Sequence, residues 1–241
     1  MENGRDLIEI WVYLSQTPLL WLTATLVAYA IADGVSAYAG RHPLANPVVI
    51  AAGLLIALLA ATGTPYATFF EGAQFVHFLL GPATVALAVP LWRNRQAVRR
   101  NLLPMTGALL AGSLTAIGTA VLVGWALGAP PPVLASLAAK STTAPIAMAL
   151  TETVGGIPAL AAVMVVLTGI LGAIVVTPLM NALGIRDFAA RGFAVGVASH
   201  GIGTARAFQV SEEAGTFAGI AMGLNGALTA LVFLLIGLAL G

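Results

Sequence analysis

A short polar run interrupts an apolar stretch in the second half of the chain and reads Lys140-Ser141-Thr142-Thr143-Ala144-Pro145. Pro145 lacks a backbone N–H and clashes with the carbonyl of Ser141, so a helix that reaches it must kink or break. The open backbone, the hydroxyls and the charge of Lys140 could bind an anion, with a new half-helix beginning at Pro145 and its positive end toward the ligand. The alternative is that Lys140 extends to an interface while the hydroxyls bond to their own helix.

A second polar run has different chemistry and reads Ser199-His200-Gly201-Ile202-Gly203-Thr204-Ala205-Arg206. Gly201 and Gly203 permit positive φ, so the backbone there could open or approach a ligand or another helix. The guanidinium of Arg206 is a planar fork of donors that matches a carboxylate, so a small organic acid would suit it. His200 could bond that acid or carry a co-transported proton.

Both ionisable residues of the second run also have a structural alternative. A neutral His200 could simply be bonded to a nearby carbonyl group. Arg206 could anchor the chain at an interface, paired with Glu212 or Glu213.

The composition indicates the environment in which these runs lie. Hydrophobic residues make up 59% of the chain and charged residues only 8%, with a mean hydropathy of +0.99, which is typical of a polytopic, all-α membrane protein. A formal net charge of +1 argues against a nucleic-acid partner. The absence of Cys excludes a disulfide framework, a thiolate nucleophile and Cys-based metal sites.

Apolar stretches long enough to cross a bilayer, about 20 residues each, predict the positions of the helices. The candidate spans are 18–39, 47–62, 66–92, 102–127, 133–153, 157–183, 193–210 and 217–240. Gly81-Pro82 and the two polar runs interrupt three of them, and each interrupted segment is either a broken span or a re-entrant hairpin. We therefore expect six to eight passes in one membrane domain, 1–241, after a polar segment, 1–17, that lacks the features of a cleaved signal.

The linker 93–100 predicts the topology. It contains four arginines and no acid, which under the positive-inside rule places it in the cytoplasm. If the segment 133–153 turns back instead of crossing, Arg186 and Arg191 lie on the same side.

The layout of the interruptions suggests two structural repeats, at about 18–128 and 133–241. Paired interrupted segments favour an inverted-repeat, elevator-like transporter with substrate near the bilayer midplane, although Gly and Pro could recur by chance in a membrane chain. Four residues are expected to support the site, namely Asn46, Pro82, Thr84 and Asn225. For Asn225, hydrogen bonding and packing between helices is the simpler interpretation.

Signatures of catalysis are missing from the sequence. There is no P-loop, no HExxH zinc motif and no GxSxG elbow. We therefore expect neither an enzyme nor a bound cofactor or metal.

Taken together, the motifs resemble those of the LrgB/CidB family. The resemblance rests on the two polar runs and on four further motifs: Asn46-Pro47, the segment 80–88, Gly155-Gly156-Ile157-Pro158 and the segment 221–226. Ala144 departs from the family pattern, in which a hydroxyl residue or the proline often follows the threonines.

This resemblance implies two descriptions of function. Bacterial members are described as holin- or antiholin-like regulators of murein hydrolase activity, and a plant plastid relative as a glycolate/glycerate translocator, while some bacterial relatives are linked to pyruvate uptake. It also implies an all-helical fold in the bacterial inner membrane and a small membrane partner of the LrgA/CidA type.

The sequence favours a carrier of small monocarboxylates such as glycolate, glycerate, lactate or pyruvate, with His200 as the candidate for proton coupling. A pore needs no cation, hydroxyl cluster or broken helices in mid-membrane, whereas a carrier does. The predicted substrate-binding residues are Lys140, Ser141, Thr142, Thr143, Pro145, His200, Gly201, Gly203, Thr204 and Arg206. A holin- or antiholin-like pore or regulator of cell lysis is the alternative, a structural partner subunit is the third interpretation, and a homo-oligomer is expected.

Overall fold

The computed structural model describes residues 17–42, 44–79, 82, 85–86 and 88–240, and in this part of the chain the regular structure is entirely helical. The chain divides into two compact units, Met1–Ala86 and Leu87–Gly241, which are described separately. Four of the described helices are long and apolar enough to cross a membrane: Pro18–Tyr38, Leu102–Ala126, Pro158–Ala182 and Glu212–Leu238. The prediction of an all-α, multi-pass membrane protein is confirmed.

The first unit consists of α1 (Pro18–Tyr38), α2 (Pro47–Thr62) and α3 (Tyr66–Phe78), with α1 packed against the other two. Trp21 on α1 is fully buried and meets the ring of Phe69 edge-on, with 5.9 Å between the ring centroids. Gly72 lies so close to the backbone of α1 that a Cβ there would overlap the carbonyl oxygen of Pro18. A glycine is therefore what allows α3 to approach α1.

The predicted span 66–92 differs from the observed helix, because α3 ends at Phe78 and a separate helix begins at Ala88. The predicted interruption includes Gly81, which lies outside the described residues, as do residues 1–16 of the predicted N-terminal segment. Pro82 is described and is exposed.

The second unit contains three long helices and several short ones. Its elements are α4 (Ala88–Arg93), α5 (Arg95–Arg100), α6 (Leu102–Ala126), α7 (Pro131–Ala138), α8 (Ala144–Thr153), α9 (Pro158–Ala182), α10 (Phe188–Val210) and α11 (Glu212–Leu240). The first polar run lies between α7 and α8 and in the first turn of α8, and the second polar run lies in α10.

The predicted span 133–153 is a re-entrant hairpin formed by α7 and α8, here called the first hairpin. Residues 139–143 between the two helices are not helical, and Pro145 lies in the first turn of α8 as predicted. Ala135 and Thr151 would be about 24 Å apart in one continuous helix, yet both adjoin Gly156. Because α8 returns past α7, the segment does not cross the membrane.

A sharper reversal occurs inside α10, which we call the second hairpin. His200 is its one residue with non-helical backbone angles, at φ 42° and ψ −135°. Val195 and Ala207 share a core cluster, although a straight helix would hold them about 18 Å apart. A Cβ on Gly203 would lie 2.8 Å from Cγ2 of Val195. The chain therefore reverses at His200, and the arms 188–199 and 201–210 lie side by side.

Gly201 and Gly203 permit positive φ but do not adopt it, because His200 is the residue with positive φ at the break. Gly203 is small for another reason, namely the close approach of the first arm. Gly201 has room, since the nearest atom to a Cβ there would be Sδ of Met222 at 3.7 Å.

The two hairpins enter the second unit from opposite ends. The first arm of the second hairpin runs antiparallel to α9, with Ser199 beside Gly172 and His200 beside Gly169. The same arm runs parallel to α11, because a Cβ on Gly192 would overlap the carbonyl of Ala214, and one on Gly196 that of Ala218. Helices α9 and α11 are therefore antiparallel.

Each hairpin is followed by a long helix. The segments 131–182 and 188–240 are therefore two hairpin–helix motifs in inverted orientation. This arrangement lies within the second of the two predicted repeats. The predicted pairing of 18–128 with 133–241 stays a prediction, because Gly81 falls outside the described residues.

Helix α6 relates these ends to the membrane. Met105, near the start of α6, belongs to the cluster around Phe193 of the second hairpin. Gly124, near the end of α6, lies beside Leu134 of the first hairpin. The linker 93–100, Arg186 and Arg191 therefore lie at one end, which the positive-inside rule assigns to the cytoplasm. This is the outcome expected if the segment 133–153 turns back.

Candidate functional site

The tips of the two hairpins meet at Asn225 in the middle of α11. Asn225 is only 1% exposed. Its Nδ2 donates to the carbonyl oxygen of Ser141 at 3.0 Å and to that of Val197 at 3.3 Å. One amide group thus satisfies a carbonyl in each hairpin, which a helix break would otherwise leave unpaired in an apolar medium.

The tip of the first hairpin, residues 139–143, provides a cation and hydroxyls. Lys140 is half-buried, and its Nζ donates to Oγ of Ser141 at 3.2 Å. Oγ1 of Thr142 donates to the carbonyl of Ala139 at 2.9 Å, so this buried hydroxyl is used by its own backbone. Thr143 is half-buried and is the N-cap residue of α8, although its side chain makes no capping hydrogen bond.

The tip of the second hairpin is held against α9 through His200, which is 3% exposed. Nε2 of His200 lies 2.8 Å from the carbonyl oxygen of Val165. Because a carbonyl only accepts, Nε2 must carry a hydrogen and donate it. A Cβ on Gly169 would lie 2.7 Å from Cε1 of the ring, so this glycine makes room for the histidine.

Neighbouring hydroxyls complete the second tip. Ser199 is buried beside Gly172, where a Cβ would overlap its side chain. Oγ1 of Thr204, also buried, donates to the carbonyl of His200 at 2.8 Å. The structural interpretation of His200 as a ring bonded to a carbonyl therefore matches the observed geometry.

The meeting point contains the ends of four half-helices and one full positive charge. Helix α7 and the arm 188–199 end there with their negative ends. Helix α8 and the arm 201–210 both begin at the tips, so the positive ends of two half-helices lie where the hairpins meet. Lys140 adds a full positive charge beside them. In transporters with broken helices, the N-termini of half-helices point at anionic groups of the substrate.

Arg206 lies away from the tips. It is on the second arm, six residues or about 9 Å along the helix from His200, and its Nη1 donates to Oε1 of Gln209 at 3.2 Å. Arg206 and Arg191 line a narrow cavity of about 30 Å³ beside the C-terminal part of α9. The structure thus does not bring Arg206 together with Lys140 as the sequence analysis expected.

The supporting residues have different positions. Asn46 belongs to the first unit, where its Oδ1 accepts from the backbone N–H of Val48 at 2.8 Å and caps α2. Pro82 is exposed, and Thr84 lies outside the described residues. Asn225, expected only to support the site, is its central residue.

Ser199 and the glycines of α9 that receive the second tip are not among the predicted site residues. A signal was available, because Gly169 and Gly172 are three residues apart on a long apolar helix. Small residues at such spacing indicate close approach of another element. What the spacing does not indicate is that the approaching element is a hairpin tip.

Proteins with similar sequences cover most of the chain. The model of the LrgB-like family matches residues 25–238. Uncharacterized protein YwbG of Bacillus subtilis is 33% identical over 76% of this chain and 82% of its own length. Antiholin-like protein LrgB of Bacillus mycoides is 25% identical over 90% and 95%, and holin-like protein CidB of Staphylococcus epidermidis 26% identical over 89% and 93%. No solved structure matches the chain.

Proposed function

This chain belongs to the LrgB-like family of multi-pass proteins of the bacterial cell membrane, and we propose that it is a carrier of small monocarboxylates. The observation that supports the proposal most is the meeting of two opposed re-entrant hairpins at Asn225. A pore that only leaks solutes needs no such arrangement. Glycolate, glycerate, lactate and pyruvate are the substrates proposed, and no covalent chemistry is involved.

In this proposal the carboxylate binds at the positive ends of α8 and of the arm 201–210, with Lys140 as the counter-charge. Ser141 and Thr143 provide hydroxyls next to it. Thr142 and Thr204 support the tips through their bonds to backbone carbonyls. Arg206 takes no direct part, because its guanidinium is bonded to Gln209 away from the tips.

Access to the site requires movement, since Ser141, Ser199 and His200 are buried. Displacing one hairpin opens the site toward the end from which that hairpin enters. Displacing the other opens it toward the opposite side. Two inverted hairpins thus supply a gate for each side of the membrane, which is what alternating access needs.

Proton coupling is part of the proposal and is assigned to His200. Because Nε2 donates to Val165, a proton would be taken up at Nδ1. The variant H200Q keeps a donor but cannot titrate, so uptake that responds equally to a pH gradient in H200Q would contradict this assignment.

The test of the carrier is uptake of radiolabelled glycolate and pyruvate into proteoliposomes, with and without a pH gradient. Uptake should saturate, and K140Q should raise KM about 10- to 100-fold, because a hydrogen bond to a charged group is lost. R206Q removes the same charge away from the tips and is the matched control, with a much smaller effect on KM. Equal effects of the two variants would contradict the proposed site.

A holin-like or antiholin-like activity is the second candidate, because similar proteins have those names. Liposomes that contain a trapped dye distinguish the two functions. Leakage of the dye without saturable uptake of carboxylates would favour a pore. If the folded chain does neither, a small LrgA/CidA-type partner should be added, since such a partner and a homo-oligomer are also proposed here.

A further inference from the structure

An apolar groove of about 350 Å³ lies between α6 and the first arm of the second hairpin, separate from the tips. Its walls are mostly small apolar side chains, and several of them are exposed, including Ala108, Ala194 and Ala198. Phe193 and Phe217 lie at its floor, where both are buried. Within the part of the molecule described, the groove is a smooth channel and not a pocket with convergent polar groups.

The groove is longer along α6 than along the first arm. It extends from Asn101 to Ala116 along α6 and from Asp187 to Ala198 along the first arm, which are about 22 Å and 16 Å at the rise of an α-helix. Half of a hydrocarbon core of about 30 Å is roughly 15 Å. The groove is therefore at least as long as one leaflet is deep, which is long enough for one acyl chain.

Arginines lie next in sequence to the two residues at the mouth of the groove. Asn101 and Asp187 lie at the mouth, directly after Arg100 and Arg186, and both arginines are exposed. Arg99 is exposed beside them, and this end is the one that the positive-inside rule assigns to the cytoplasm.

Three acidic residues at the same end cancel part of this charge and leave it net positive, since six arginines lie there. Asp187 accepts a hydrogen bond from the backbone N–H of Ala190 and so caps α10. Glu212 and Glu213 lie in the first turn of α11, where they complement its helix dipole. Six arginines of the second unit lie at this end: Arg93, Arg95, Arg99, Arg100, Arg186 and Arg191.

We propose that this groove binds an anionic phospholipid of the cytoplasmic leaflet. One acyl chain occupies the channel between α6 and the first arm, and the phosphate lies between Arg100 and Arg186. Basic pockets between helices at the cytoplasmic surface are suited to anionic headgroups. A channel lined by small residues gives an acyl chain close packing without a polar contact.

The inner end of the groove places the acyl chain next to the end of the first arm. Val197 and Ala198 line that end, and the carbonyl of Val197 is one of the two bonded to Asn225. An acyl chain in the groove thus supports the first arm directly before the reversal at His200.

The experiment is native mass spectrometry of the protein released from nanodiscs of equal parts phosphatidylglycerol and phosphatidylethanolamine. The wild-type chain should retain phosphatidylglycerol. A194W fills the groove and should abolish this retention, whereas the control variant L114W, at an exposed position on the opposite face of α6, should leave it unchanged. The double variant R100Q/R186Q should lose the preference for phosphatidylglycerol, about fivefold for each arginine.

Equal retention by A194W and L114W would overturn the proposal, as would equal retention of both lipids by the wild-type chain. A photo-crosslinker at Ala194 gives a second measurement that does not depend on the folding of a bulky variant. It should capture lipid, and capture of a second copy or of a partner helix in place of lipid would overturn the assignment. The readouts are independent of transport, so this proposal and the carrier can fail separately.

Discussion

The two hairpins reverse the chain by different means. The first uses five non-helical residues, 139–143, followed by a helix with Pro145 in its first turn. The second uses one residue, His200, in a left-handed conformation. The first reversal is long and rich in hydroxyls, whereas the second is short and depends on a single backbone geometry.

Their attachments to the rest of the unit differ as well. The second hairpin contacts α11 backbone to backbone, because Gly192 and Gly196 leave no room for a Cβ. The first hairpin is held by side chains in a cluster that includes Ala138, Ala147 and Phe233, and by the bond from Asn225. A contact between side chains can open more easily than one between backbones, so we expect the first hairpin to be the more mobile gate.

The largest effect should come from separating the second hairpin from α11. In G196L the new side chain overlaps the carbonyl of Ala218. The backbone cannot move away without losing the contact between the second hairpin and α11. We expect a loss of at least about 3 kcal/mol in the free energy of unfolding. Equilibrium unfolding in mixed micelles would measure this loss.

The control for this prediction is G201A, also on α10. A Cβ there would be 3.7 Å from its nearest neighbour, and the residue has no positive φ. The stability of G201A should lie within about 1 kcal/mol of that of the wild type. If both variants are equally stable, the second hairpin is not fixed to α11 as described.

The next largest effect should come from N225L, which removes the donor shared by both tips. The carbonyls of Ser141 and Val197 would be left unpaired, at about 1–3 kcal/mol for each. Hydrogen exchange should rise in residues 139–143 more than in the second hairpin, which keeps its contact with α11. L224A, next to it and exposed, is the control, and equal exchange in the two hairpins would contradict the difference in mobility.

A smaller effect distinguishes two roles of His200. H200A loses the bond to Val165 and keeps the strained backbone, whereas H200G loses the bond but relieves the strain. We therefore expect H200G to be more stable than H200A by about 1 kcal/mol. The reverse order in equilibrium unfolding would mean that the backbone at this position is not strained.

The smallest effect should come from P145A. Pro145 lies in the first turn of α8, where no intrahelical hydrogen bond depends on it. Its loss should cost about 0.4–1 kcal/mol through the greater freedom of the unfolded chain. A loss above about 3 kcal/mol in the same unfolding measurement would mean that the proline itself maintains the reversal.

The sequence predicts the break at Pro145 better than the reversal at His200. The break near Pro145 is visible because proline cannot continue a helix, and the end that carries the arginines follows from their number in the linker. The reversal at His200 depends on contacts with Gly169 and Val165, which are distant from it in the sequence. The strongest local signal therefore marks the residue with the smallest expected effect.

Two residues lie where distance along the chain would not place them. Arg206 follows His200 closely in sequence, but six residues along a helix carry it about 9 Å from the tip. Asn225 is far from the first run in sequence, yet it is bonded to Ser141 across 84 residues. Its hydrogen bonds between helices agree with the simpler interpretation of this residue.

The position of Asn225 also determines the order in which the protein can mature. Ser141 leaves the ribosome 84 residues before its donor, and Val197 leaves 28 residues before it. At a synthesis rate of roughly 5–20 residues per second, the first tip waits for about 4–17 seconds with an unpaired carbonyl. Both tips are thus completed only when α11 is inserted, and a nascent chain that lacks this helix has an unpaired carbonyl in each hairpin.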